Sequence, residues 1–101
     1  MEKEDRLSLY KKAIETWGIE AQRNMAFEEL GELNTILARD RRGRATKEEI
    51  LTELADVTIM CEQMATIIGF DLYEKEMERK LIRLRDDKLA KYDWLFNGFR
   101  R

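Results

Sequence analysis

TKEEILTELADVTIMCEQMATIIG, residues 46–69, is the stretch that decides the fold. Thr46 and Glu49 have the spacing of a capping box, in which a hydroxyl and a carboxylate satisfy the free N–H groups of a helix's first turn. Gly69 supplies the stop. At about 100° per residue, Leu54, Met60, Cys61, Met64, Ile67 and Ile68 help make the helix apolar around well over half its circumference. A helix this broadly apolar needs neighbours on several sides, so an assembly of helices follows. Its polar side is carried by Thr52, Glu62, Gln63 and Thr66, and Cys61 reads as a core residue beside Leu54 and Ile68.

Working outward, a first helix is expected over Asp5–Trp17, with Leu7, Tyr10, Ile14 and Trp17 at three- and four-residue spacing and Gly18 as its terminator. A second runs from Glu20 to Asp40 on an apolar arc of Met25, Ala26, Leu30, Leu33, Ile36 and Leu37. It ends in a basic connector, Arg39-Asp-Arg-Arg-Gly-Arg44, whose cations complement the helix dipole before a glycine closes the turn and a solvated loop follows. After Gly69, Asp71-Leu-Tyr-Glu74 repeats the capping spacing and opens a fourth helix, with Met77, Leu81, Leu84 and Leu89 expected inward. The aromatic tail, residues 92–101, is expected to pack on a groove of this or a neighbouring subunit. Four helices on short loops predict an all-α, four-helix antiparallel bundle in a single domain, with its core at about residues 5–90.

Composition narrows the chemistry. With 101 residues the chain is too short for two cores, while 44% apolar and 40% charged residues without proline favour long helices. Nineteen basic against 21 acidic residues leave a net charge of −2, so neither nucleic acid nor an acidic membrane is an expected partner. The charged N-terminus lacks the apolar run of a secretory signal, and no stretch reaches the ~18 apolar residues of a membrane span. A cytoplasmic protein is the expectation. One cysteine forbids an intrachain disulfide, and the absence of histidine removes both Cys/His zinc sites and a histidine base. A metal site here has to be built from oxygen.

The oxygens are conspicuous. On the second helix Glu29 falls inside the apolar arc, Glu32 at its edge one turn on, and Glu28 further out. On the third, Glu53 and Asp56 bracket the angle of Met60, away from the wet side. Carboxylates so placed are costly unless something cationic sits between them. Two pairs at i, i+3 spacing without a soft ligand suit Mg²⁺, with Mn²⁺ as the alternative. A salt-bridge network with a basic residue of the fourth helix is the competing explanation.

Glu28-Glu29-Leu-Gly-Glu32, separated by residues 33–52 from Glu53-Leu-Ala-Asp56, resembles the EExxE and ExxD motifs of the MazG-like all-α nucleoside triphosphate pyrophosphohydrolases. Trp17-Gly18, Gln22 and the run Glu53–Met64 extend the likeness over roughly residues 10–85. The resemblance implies hydrolysis of (deoxy)nucleoside triphosphates to monophosphate and pyrophosphate by a homodimer or dimer of dimers. It implies metal binding by Glu29, Glu32, Glu53 and Asp56, the set that the helical wheels select, and a water-orienting or deprotonating role for Glu28. It further suggests Trp17 and Gln22 near the nucleoside, and phosphate contacts from Arg79, Lys80 and Arg83. Against these stand a packed tryptophan, a surface glutamine and a solvated basic face. Two other functions compete: hydrolysis of phosphoribosyl-ATP, and a non-catalytic helical dimerisation or adaptor domain.

Overall fold

A computed structural model describes residues 1–92. They form four α-helices, α1 (Lys3–Trp17), α2 (Ile19–Arg41), α3 (Lys47–Ile68) and α4 (Phe70–Arg83), the last continued by a π-helical stretch, Leu84–Leu89. The fold class is all-α, with no strand among the described residues. No described helix is long and apolar enough to cross a membrane. Of the aromatic tail only Tyr92 falls within the described residues.

The chain divides into two compact units, Met1–Ile68 and a second beginning at Gly69. In the first, α3 packs against both α2 and α1, and α1 also touches α2. A single glycine turns the chain between α1 and α2: Gly18, at φ +90°, donates its N–H to the Ile14 carbonyl and accepts from the Gln22 N–H. Between α2 and α3, Gly43 at φ +69° donates to Asp40, while the Arg44 N–H reaches back to the Arg39 carbonyl. These two bonds form a Schellman closure, which needs a left-handed residue where the glycine stands. The capping box holds as the sequence predicts: Glu49 N–H donates to the Thr46 hydroxyl at 3.1 Å, and Thr46 N–H to the Glu49 carboxylate at 3.0 Å.

Helices α2 and α3 run antiparallel. Next to their connection Arg39 pairs with Glu49, whereas deeper in the pair Glu29 meets Glu53 and Asp56, so one numbering falls as the other rises. Among the described residues the buried apolar side chains are few, Tyr10, Ile36, Met60 and Ala65.

Several expectations need correction. Cys61 is exposed, while Gln63 is buried and Glu62 half-buried. The cause is α1, which docks on the side of α3 that carries Glu62: Arg6 and Tyr10 both donate to that carboxylate. Trp17 is 64% exposed, whereas Gln22 is 2% exposed, the reverse of a packed tryptophan and a surface glutamine. The Asp71–Glu74 spacing does not cap α4, because the helix already begins at Phe70, with Gly69 at the cap position and no side-chain bond there. Asp71 instead lies in the first turn, where its charge favours the positive end of the dipole. Met77, Leu81, Leu84 and Leu89 are exposed rather than inward. Among the described residues their unit is one α-helix and its π continuation, and none of those residues is fully buried.

Candidate metal centre

Helix α2 presents Gln22, Glu29 and Ile36 at seven-residue intervals, two turns apart and therefore on nearly one line. The outer two are buried and Glu29 is half-buried. Facing it, α3 supplies Glu53 and Asp56, half-buried and three residues apart on adjacent turns. Glu29, Glu53 and Asp56 each offer one carboxylate oxygen, and these oxygens all lie within 4.8 Å of one another.

Two of the carboxylate oxygens in these residues carry more information. Glu29 Oε2 and Glu53 Oε2 are buried and have no hydrogen-bond partner. Burial raises the pKa of Glu29 above the ordinary carboxylate value, and the charges of Glu32, Asp56 and Glu53 raise it further. Glu53 is raised by burial first, then by Glu32 and Asp56. Every charge acting on the pair is another carboxylate. Among the described residues, no guanidinium or ammonium is among the charges that shift Glu29 or Glu53. Unpaired carboxylate oxygens at this spacing fit a small hard cation, which takes oxygen ligands and retains water.

Glu32 is exposed and stands at the edge of the cluster, close enough to act on both Glu29 and Glu53. Glu28 is exposed as well. Both line a cleft of about 680 Å³ between α2 and α3, along with Gly31, Thr35 and Arg39 on α2 and Glu49, Thr52 and Glu53 on α3. The cleft therefore opens directly onto the acidic cluster. It also reaches Arg39, in the connector that the sequence alone places in solvent.

The remaining candidates are dispersed. Trp17 lines a second groove, of about 600 Å³, with Leu9 and Tyr10 on α1 and Ile59 and Gln63 on α3. Gln63 is 7% exposed, and its Oε1 has no hydrogen-bond partner. Its place was signalled by position, since it follows Asp56 by two turns just as Gln22 precedes Glu29 by two. Arg79, Lys80 and Arg83 belong to α4 in the other unit, where Arg79 is engaged by Glu76. No protein-family model matches the chain, and no curated protein or solved structure is significantly similar to it.

Proposed function

We propose that the chain is a Mg²⁺-dependent pyrophosphohydrolase that converts (deoxy)nucleoside triphosphates to monophosphate and pyrophosphate. One observation carries the reading: buried, unpartnered oxygens of Glu29 and Glu53 beside Asp56, in a half-buried cluster whose mutual charges are all negative. A structural ion pair would satisfy those oxygens. A site kept for a cation leaves them bare.

In this reading Glu29, Glu32, Glu53 and Asp56 hold Mg²⁺ or Mn²⁺. The bound cation would neutralise phosphate charge and lower the pKa of water. Glu28, exposed on the same cleft, orients the attacking water and accepts its proton. No histidine or covalent nucleophile is needed. Trp17 has the exposed ring face that a nucleoside base requires, while Gln22, sealed between helices, serves packing instead.

The associated architecture is a four-helix antiparallel bundle assembled as a dimer or dimer of dimers. Leu51, Leu54, Ile59 and Ile68 of α3 are exposed in the single chain and supply apolar surface for such an interface. The deciding experiment is pyrophosphate release with Mg²⁺ across canonical and modified triphosphates, with phosphoribosyl-ATP in the same panel. Release from triphosphates alone supports the proposal. Release from phosphoribosyl-ATP alone favours the related activity, and no release from any substrate points to a non-catalytic helical domain.

A further inference from the structure

We propose that Arg39 binds the terminal phosphate of the substrate, so that the α2–α3 cleft selects triphosphates over diphosphates; this rests on the metal-dependent reading above. Glu32 and Glu53 line one end of the cleft, and Arg39 and Glu49 line the other. From Glu32 to Arg39 is seven residues, about 10 Å along one side of α2. A phosphate chain held at the acidic end therefore runs toward Arg39.

Among the described residues that line the cleft, Arg39 is the only basic one, against the carboxylates of Glu28, Glu32, Glu49 and Glu53. An anionic chain is repelled along most of this wall. It is attracted where a cation sits among the acids and again at the guanidinium. A triphosphate meets both ends, whereas a diphosphate falls short of the second.

The guanidinium is also loosely held. It has five N–H donors. It donates one bond, to the Arg44 carbonyl at a long 3.3 Å, and Glu49 lies 3.7 Å away, beyond hydrogen-bond distance. One Glu49 oxygen, Oε1, accepts the Thr46 N–H in the capping box, and the other, Oε2, is the one that faces Arg39. The Arg39 side chain is 46% exposed, and a long helical side chain prefers to lean toward the helix N-terminus. In this structure the guanidinium points the other way, to the Arg44 carbonyl, so turning back along the cleft toward Glu32 means giving up that one long bond. Between Glu32 and Arg39, Thr35 and Ile36 line the α2 wall of the cleft.

The test measures binding of inorganic tripolyphosphate, pyrophosphate and orthophosphate to the full chain in excess Mg²⁺ by calorimetry. Wild type, Arg39→Ala and Glu49→Gln are compared, with thermal melts confirming that each is folded. Losing a charge-assisted fork should weaken tripolyphosphate binding about tenfold or more in Arg39→Ala, with orthophosphate unchanged. Glu49→Gln retains the capping geometry and removes the competing charge, so it should bind tripolyphosphate more tightly than wild type. A purely structural ion pair would not give shifts of opposite sign. Unchanged tripolyphosphate affinity in Arg39→Ala, weaker binding in Glu49→Gln, or no tripolyphosphate binding by wild type each overturns the proposal.

Turnover separates this proposal from the reading it rests on. Selective tripolyphosphate binding that depends on Arg39, without pyrophosphate release from any nucleotide, supports the Arg39 site and sinks the catalytic reading. Pyrophosphate release that persists in Arg39→Ala with an unaltered preference for triphosphate over diphosphate sinks Arg39 alone.

Discussion

Two carboxylates on α3, Glu53 and Glu62, are both half-buried and face different neighbours. Glu62 accepts the Tyr10 hydroxyl at 2.6 Å and an Arg6 N–H at 3.3 Å, so the junction with α1 is a satisfied polar contact. Glu53 faces α2; the charges that act on it, Glu32 and Asp56, are both acids, and one of its oxygens has no partner. Residue type and burial class are the same, yet one carboxylate completes the fold and the other opposes it. A buried polar group left unsatisfied calls for an explanation, and the proposed cation is one for Glu53.

The largest effect should come from neutralising each acid in turn. Glu53→Gln should lower pyrophosphohydrolase activity by more than the roughly 10–100-fold that outer-shell changes around metals cost. The metal-free variant should melt at or above wild type, because a mutual repulsion has gone. Glu62→Gln should do the opposite, keeping activity while melting lower. Activity and metal-free melting on the same preparations decide the matter: if Glu53→Gln melts well below wild type and still turns over, the contrast collapses and Glu53 is structural.

Next in size is the response to the cation. Mg²⁺ or Mn²⁺ at one hundred times its dissociation constant should stabilise wild type by about 2.7 kcal/mol. In Glu53→Gln the shift should vanish, and in Glu62→Gln it should persist. Calorimetric melts over a metal titration test this, and a midpoint indifferent to millimolar metal would remove the cation from the site. Without metal, pH should act in a defined direction. Glu29 and Glu53 have folded pKa values above the unfolded ones, so the folded state holds their protons more tightly. That contribution is complete below the ordinary glutamate range and is lost as pH rises through the raised folded values. Metal-free stability should fall across that window, and saturating Mg²⁺ should flatten the dependence.

The smallest effect sharpens the satisfied side. Tyr10→Phe removes one donor to Glu62 and keeps the ring buried, so it should cost about 1.5–3 kcal/mol, the usual value of a hydrogen bond to a charged group. Urea unfolding midpoints measure it. A loss of metal response in this variant would mean that the two regions are coupled rather than independent.

The sequence by itself determined the helices and most of their ends, because those depend on local signals. Gly18 and Gly43 close helices, and Thr46 with Glu49 opens α3, through bonds between residues no more than five apart. It also singled out Glu29, Glu32, Glu53 and Asp56, since an acid on or beside an apolar arc is visible from periodicity alone; of these Glu29, Glu53 and Asp56 come together, and Glu32 stays exposed at the edge. The α4 start was misjudged, because the chain resumes helix directly after Gly69 before the Asp71 spacing can act. Tertiary structure alone decided which flank of α3 meets α1. That choice buries Gln63, engages Glu62 and leaves Cys61 exposed, although the wheel ranks them the other way. It also brought Arg39 into the same cleft as Glu53, through the antiparallel pairing of α2 and α3. A wheel gives each residue an angle on its own helix, but only packing says what lies opposite that angle.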